Sequence, residues 1–244
     1  MTFTWRALVK ARHLPEQLGD VIMIPILFTL VFTYLFGGAL EGSTSEYLRF
    51  LLPGTLVMTL VLLTVFTGVT LSTDLRSGAF DRFRSLPIWR PAPIVGALLG
   101  DVLRYVVASS LVIGLGLLIG FRPDGGVIGV VAAVALILLF AFSLSWVWIT
   151  LALILRTPAA VNVAGLLFIF PLSFVSNVFV DPATMPTWLQ TFVDINPVSH
   201  LVTAARALVH AGSAANEVGW VLIACAVLMA VFAPMSMSLY RRRV

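Results

Sequence analysis

LLPGTLVMTLVLLTVFTGVTLST, residues Leu51 to Thr73, carries no charged side chain. About 20 apolar residues in a helix cross the hydrocarbon core of a bilayer, and a run of this length is far too long for a strand. The stretch therefore reads as a membrane-spanning helix. On its N-terminal side lies a short polar loop, Glu41 to Arg49, preceded by another apolar run from about Val21 to Leu40 that Pro25 interrupts. On its C-terminal side comes the most charged segment of the chain, 74–93, with Asp74, Arg76, Asp81, Arg82, Arg84 and Arg90 before Pro87, Pro91 and Pro93 close it.

The pattern continues to the C-terminus. A third span runs from about Ile94 to Gly120. The loop-forming run Arg122-Pro-Asp-Gly-Gly126 follows, and a fourth span extends to Leu155. After Arg156, Thr157 is a natural N-cap and Pro158 a natural first helical residue, so a fifth span starts there, continues to about Val180 and is kinked at Pro171. A sixth runs from about Val218 to Leu239 and ends at Arg241, Arg242 and Arg243. Between the last two, Met185, Trp188, Leu189 and Phe192 recur at helical spacing. Asn196 and Pro197 then cap and open a second short helix, so residues 183–212 predict a re-entrant hairpin of half-helices dipping into one leaflet.

Composition agrees with this reading. Of 244 residues, 60% are hydrophobic and only 11% charged, against roughly 25% charged in soluble domains. The mean hydropathy is +1.05. Six spans use nearly the whole chain, leaving one membrane domain over 1–244 and no room for a soluble catalytic domain. The net charge of +4 is spread in short clusters between apolar runs, which argues topology and not nucleic acid. The single cysteine, Cys225, lies in an apolar run, so no disulfide framework or thiolate metal site is available. No cleavable signal peptide is expected, because Trp5, Arg6, Lys10 and Arg12 stand where an apolar core would be. Residues 1–18 instead predict an interfacial helix, with Arg6, Lys10 and His13 on one side and Trp5, Leu8 and Val9 largely on the other.

Switching sides at each span puts Arg6, Lys10, Arg12, Arg76, Arg82, Arg84, Arg90, Arg104, Arg156, Arg241, Arg242 and Arg243 on the N-terminal side. Only Arg49, Arg122 and Arg206 fall on the other. Twelve against three is a strong positive-inside signal, placing both termini and the 74–93 loop in the cytoplasm and the hairpin outside.

Few residues carry chemistry of their own. The only lysine, Lys10, has no phosphate-cradling glycines beside it, so the chain does not hydrolyse ATP by that route. Gly114, Gly116 and Gly120 lie inside a span with no strand before them and read as close helix packing. Asp194, Ser199 and His200 make a triad by composition only, around a helix start. Asp101 and Arg104, one turn apart near the cytoplasmic start of the third span, can pair. No acidic residue stands at mid-bilayer, where an ion-coupled carrier would need one. Thr55, Thr59, Thr70 and Thr73 fall within about 60° on the second span, and Asn162, Ser173 and Asn177 share a side of the fifth. Such stripes either line a path or hydrogen-bond within the helix packing, and the sequence leaves both open. In the charged loop, Asp81-Arg82-Phe83-Arg84-Ser85-Leu86-Pro87 sets Phe83 and Leu86 among charges, as a protein-docking surface would.

Two stretches, Ser72-Thr73-Asp74 through Asp81-Arg82-Phe83-Arg84-Ser85-Leu86-Pro87, and Ile195-Asn196-Pro197-Val198-Ser199-His200-Leu201 through Ala205-Arg206, resemble the ABC-2 family of exporter permeases, most closely its daunorubicin-resistance type. The resemblance covers essentially the whole chain. It implies a permease dimer, most simply a homodimer, carrying two copies of a separate ATPase subunit that holds the ATP and Mg, with no cofactor in this chain. Asp81 to Pro87 would be the coupling helix, and the interfacial helix with Trp5, Arg6 and Lys10 would lie beside it. Thr55, Thr59, Phe66, Thr70, Asn162, Ser173 and Asn177 are the pathway candidates. Trp188, Phe192, Asn196 and Pro197 are the candidates for an extracytoplasmic gate. The expected activity is export of a small amphipathic drug, antibiotic or lipid-like compound across a bacterial cytoplasmic membrane by alternating access. A polysaccharide or lipid-linked glycan exporter is the alternative within the family, and an ATP-independent channel or a membrane-embedded enzyme the alternatives outside it.

Overall fold

The computed structural model describes residue 23 and residues 26–35, 43–77, 92–155 and 157–243. The interfacial-helix positions Trp5, Arg6 and Lys10 and the coupling segment 81–87 lie outside the described residues.

Every regular element among the described residues is a helix. In order it forms α1 (Ile26–Leu35), α2 (Thr44–Arg76), α3 (Ala92–Ile119), α4 (Gly126–Ile154), α5 (Pro158–Phe174), a 3₁₀ turn (Pro182–Thr184), α6 (Thr187–Ile195), α7 (Pro197–Val209) and α8 (Ala215–Arg243). Four of these, α2, α3, α4 and α8, are long and apolar enough to cross a membrane, and α1 and α5 are shorter apolar helices.

Helix α2 is the axis of the bundle. Its buried positions run round the whole circumference, and α3, α4, α5 and α7 all pack on it. Helix α8 lies outside, against α4 and α7, and shows Trp220, Ile223, Val227 and Val231 at its surface. An apolar exterior around an equally apolar interior is what a bilayer solvent requires, because no water drives these residues inward. Packing then depends on close approach. A Cβ on Gly68 would stand 2.8 Å from the carbonyl oxygen of Trp148, so α2 and α4 touch through bare backbone there. Gly68→Ala is therefore expected to force the two helices apart, costing about 1–3 kcal/mol as an overpacked contact. A lowered melting temperature in detergent checks this.

Element boundaries depart from the sequence reading in two instructive places. Helix α2 starts at Thr44, so most of the predicted 41–49 loop is its first turns. Ser43 caps it, accepting from the Glu46 N–H at 3.1 Å and donating to the Glu46 carboxylate. Ser43 with Glu46 is the capping-box spacing. Helix α5 ends at Phe174, not near Val180, and residues 175–180 follow as irregular backbone. The predicted caps at its other end are present, with Thr157 Oγ1 accepting from Ala160 N–H and Pro158 opening the helix.

Candidate functional site

The irregular stretch after α5 creates a physical problem. Freed carbonyls have no water to meet in an apolar surround, where each unsatisfied group costs several kcal/mol. Helix α7 meets it with one polar face, on which Asn196, Ser199, Thr203 and Arg206 recur at helical spacing, and Asn196 and Arg206 supply the donors. Asn196 closes both helices that meet there. Its Oδ1 accepts from Val198 N–H at 2.9 Å, capping α7, and its Nδ2 donates to the carbonyls of Leu172 at 2.7 Å and Val175 at 2.8 Å, capping α5.

Seven residues further along α7, Thr203 Oγ1 accepts from Asn177 Nδ2 at 2.7 Å. Arg206 donates from one terminal nitrogen to the carbonyls of Asn177 and Val178, at 2.7 and 3.0 Å, and from Nε to that of Phe50 at 2.8 Å. Its guanidinium lies 3.6 Å from the centroid of the Phe50 ring, a cation–π placement. From α2, Tyr47 donates its hydroxyl to the Phe179 carbonyl. Gly54 lets the segment close in, since a Cβ there would meet the Val178 oxygen at 2.8 Å. The result is a polar seam between α2, α5 and α7. Within it Ser173 Oγ, Asn177 Oδ1 and Ser199 Oγ are buried without a hydrogen-bond partner, and so retain capacity for a further polar group.

A second polar set crosses the bundle in the C-terminal half of α2, opposite the middle of α3. Tyr105 of α3 stands 3.0 Å from Thr67 Oγ1 of α2 and 3.0 Å from Ser145 Oγ of α4. Ser145 donates to the Ala141 carbonyl, which orients the chain. One turn before Tyr105, Asp101 accepts from Arg104 at 2.5 Å. Trp148 donates its indole N–H to Thr64 at 2.7 Å. The bonds of Tyr105 and Trp148 tie α2, α3 and α4 together, and the Asp101–Arg104 pair lies within α3.

The predicted residues are distributed unevenly over this frame. Thr55 and Thr59 are buried and bond back to their own helix, at the carbonyls of Leu52 and Thr55, as Thr73 does to Val69. Phe66 and Thr70 are half-buried. Asn162 is exposed, whereas Ser173 and Asn177 are buried in the seam, so the stripe is split between the outside of α5 and its broken end. Trp188 and Phe192 are exposed on α6, with Ile195 beside them, while Asn196 is buried and Pro197 opens α7. No triad forms at His200, which meets the Asp194 carbonyl instead of its carboxylate. Among the described residues no cluster of three His, Cys, Asp or Glu side chains could hold a metal. Arg206, Thr203, Tyr47 and Tyr105 carry contacts that residue type alone did not announce. For Thr203 and Arg206 a signal was present, their helical spacing from Asn196.

Residues 1–210 match the family model described as ABC-2 type transporter. The chain belongs to the ABC-2 type transporter family. It is 50% identical over 243 residues to the daunorubicin resistance ABC transporter permease protein DrrB1 of Streptomyces coeruleorubidus, covering all of this chain and 86% of that one. It is 25% identical over 219 residues to a probable doxorubicin resistance ABC transporter permease protein, DrrC, of Mycobacterium tuberculosis, covering 86% and 79% of the two chains. A putative transport permease, ycf38, of Cyanophora paradoxa shares 25% identity over 211 residues, 83% of this chain and 71% of its own. This ABC-2 permease is thus a multi-pass membrane transport subunit and not an enzyme.

Proposed function

We propose that this permease exports a small amphipathic drug or antibiotic from a bacterial cell, as a dimer bound to two copies of an ATPase subunit. The observation that carries the reading is the 50% identity over 243 residues to a permease named for daunorubicin resistance. Nucleotide and Mg are held by the partner, which fits a chain with one lysine and no phosphate loop.

In this reading α1 and α5 join α2, α3, α4 and α8 as six spans. Both termini are cytoplasmic, as the arginine and lysine count favours, and the hairpin of α6 and α7 closes the outer end. The outward side of α5, with Val163, Leu166, Leu167 and Phe170 around Asn162, faces a second copy across the central pathway. An exposed amide among such residues is costly against lipid and comfortable against a polar path. ATP binding draws the two 81–87 segments together, and the spans re-pack from inward-facing to outward-facing because the nucleotide prefers the second state.

Co-purification from native membranes with mass spectrometry, followed by drug-stimulated ATPase activity of the isolated complex, tests this. Equal amounts of an ATP-binding subunit are expected, and a stable chain found alone would overturn the reading. Phe83→Ala is expected to lower export by about tenfold or more, as removal of a buried interface anchor. ATP hydrolysis should persist and the melting temperature should not move. Export and hydrolysis measured together in proteoliposomes check it.

A further inference from the structure

Helix α7 is fastened at each end by a histidine, and the two fastenings are built alike. At its start His200 turns Nε2 to the Asp194 carbonyl at 2.8 Å and Nδ1 to the Glu217 carboxylate at 2.6 Å, joining α6 and α7 to the first turn of α8. The ring of Trp220 stacks on it at 5.9 Å. Just past its end His210 turns Nε2 to the Arg49 carbonyl at 3.1 Å and Nδ1 toward the Asp124 carboxylate at 3.6 Å. That joins α7 to α2 and to the loop before α4. The Arg49 carbonyl needs this donor, because its partner four residues on is Pro53, which has no N–H.

A backbone carbonyl only accepts, so Nε2 carries the hydrogen in both cases. A neutral imidazole then presents a bare lone pair at Nδ1, and here each Nδ1 faces a carboxylate, which is also an acceptor. The pairing becomes a hydrogen bond only when one more proton is present between the two groups. At His210 the Nδ1 is buried and makes no hydrogen bond. Glu217 and Asp124 are 30% and 52% exposed, so water can deliver the proton to both.

The other charged groups at these points are few. Arg49 pairs with Asp124 and shares it with His210. Arg122 donates to the carbonyls of Leu117 and Phe121, and the Phe121 ring meets His210 edge-on. The Asp194 side chain is exposed at the end of α6. Arg206, one turn before His210, directs its guanidinium to Phe50, Asn177 and Val178.

We propose that α7 is a proton-responsive latch: one proton taken from water between His200 and Glu217, and one between His210 and Asp124, fasten the hairpin, and their loss frees it. Imidazoles change charge across roughly pH 5 to 8, the range an exterior can reach. The direction of the response rests on the proposed placement of the hairpin at the outer mouth. An acidic exterior holds that mouth closed, and an alkaline one lets it open.

The test uses the whole complex in proteoliposomes with ¹⁵N-labelled histidine, assigned by His200→Gln and His210→Gln. With both faces at about pH 5.5, wild-type His200 and His210 should each show hydrogen on both nitrogens or, at lower carboxylate charge, a proton shared with the partner carboxyl; by about pH 8 each should lose it. Export should be roughly three- to tenfold faster with the outer face at about pH 8 than at about pH 5.5, and the double variant should lose that ratio. Nitrogen signals that stay singly protonated and unshared at the acid end would overturn the latch whether or not the variants fold. If the signals change only when the pH of the opposite face is varied, the latch stands and the orientation proposed above falls.

Discussion

Arg206→Ala is expected to lower the stability of the permease by about 2–4 kcal/mol, the range for leaving several partly buried carbonyls without their donor. The substitution withdraws every donor that the side chain gives to the carbonyls of Phe50, Asn177 and Val178, and the cation over the Phe50 ring. The three carbonyls stay where they are, and in an apolar surround their desolvation is no longer offset. Arg206→Lys separates charge from geometry. An ammonium keeps the cation and reaches one carbonyl or two, but it cannot fork from Nε to α2 and from a terminal nitrogen to the irregular stretch at Asn177 and Val178. Lysine should therefore recover less than half of the loss. Melting temperatures of the three proteins in one detergent check this, and a lysine variant as stable as the parent would sink the forked role.

Asn196→Ala is expected to cost about 2–4 kcal/mol, because it removes an N-cap and two carbonyl partners in one step. Asn196→Asp distinguishes the two jobs. Aspartate is as good an N-cap as asparagine, so α7 alone would be unharmed. The same carboxylate would face the carbonyls of Leu172 and Val175 where the amide nitrogen now donates to both. The aspartate variant should accordingly be at least as unstable as alanine, the opposite of what a plain helix cap predicts. Export by the aspartate variant should fall with its stability, and proteolysis should find new cleavage near 172–180. An aspartate variant that melts with the parent would show that the α5 end does not depend on this residue.

Much of the fold was legible from residue type. The uncharged run Leu51 to Thr73, Thr157 with Pro158, and Asn196 with Pro197 each state their local structure, because apolar length and capping chemistry act over a few residues. Ser43 with Glu46 stated the start of α2 equally well by its spacing. The end of α5 was not stated in this way. The largely apolar run continues through Val180, and the local signals against helix are weak ones: the ring of Pro171, and Ser176, whose Oγ donates to the Ser173 carbonyl and accepts from Val178 N–H. The site was legible only as a list of polar side chains: Thr55 and Thr59 turned out to bond to their own helix, and Asn162 parted from Ser173 and Asn177.

The sequence by itself determined a helical membrane protein, the family it belongs to, and the positions of most helix starts, since these follow from hydropathy and from side chains bonding their nearest backbone. Only the tertiary structure decided which carbonyls were left open and who would meet them. Arg206 serves a residue 156 positions away, His210 one 161 away, and Tyr47 one 132 away. A broken helix in an apolar solvent must find its donors on whatever element packs beside it, and that neighbour is chosen by the assembled bundle, where the spacing of residues along the chain no longer tells which of them meet.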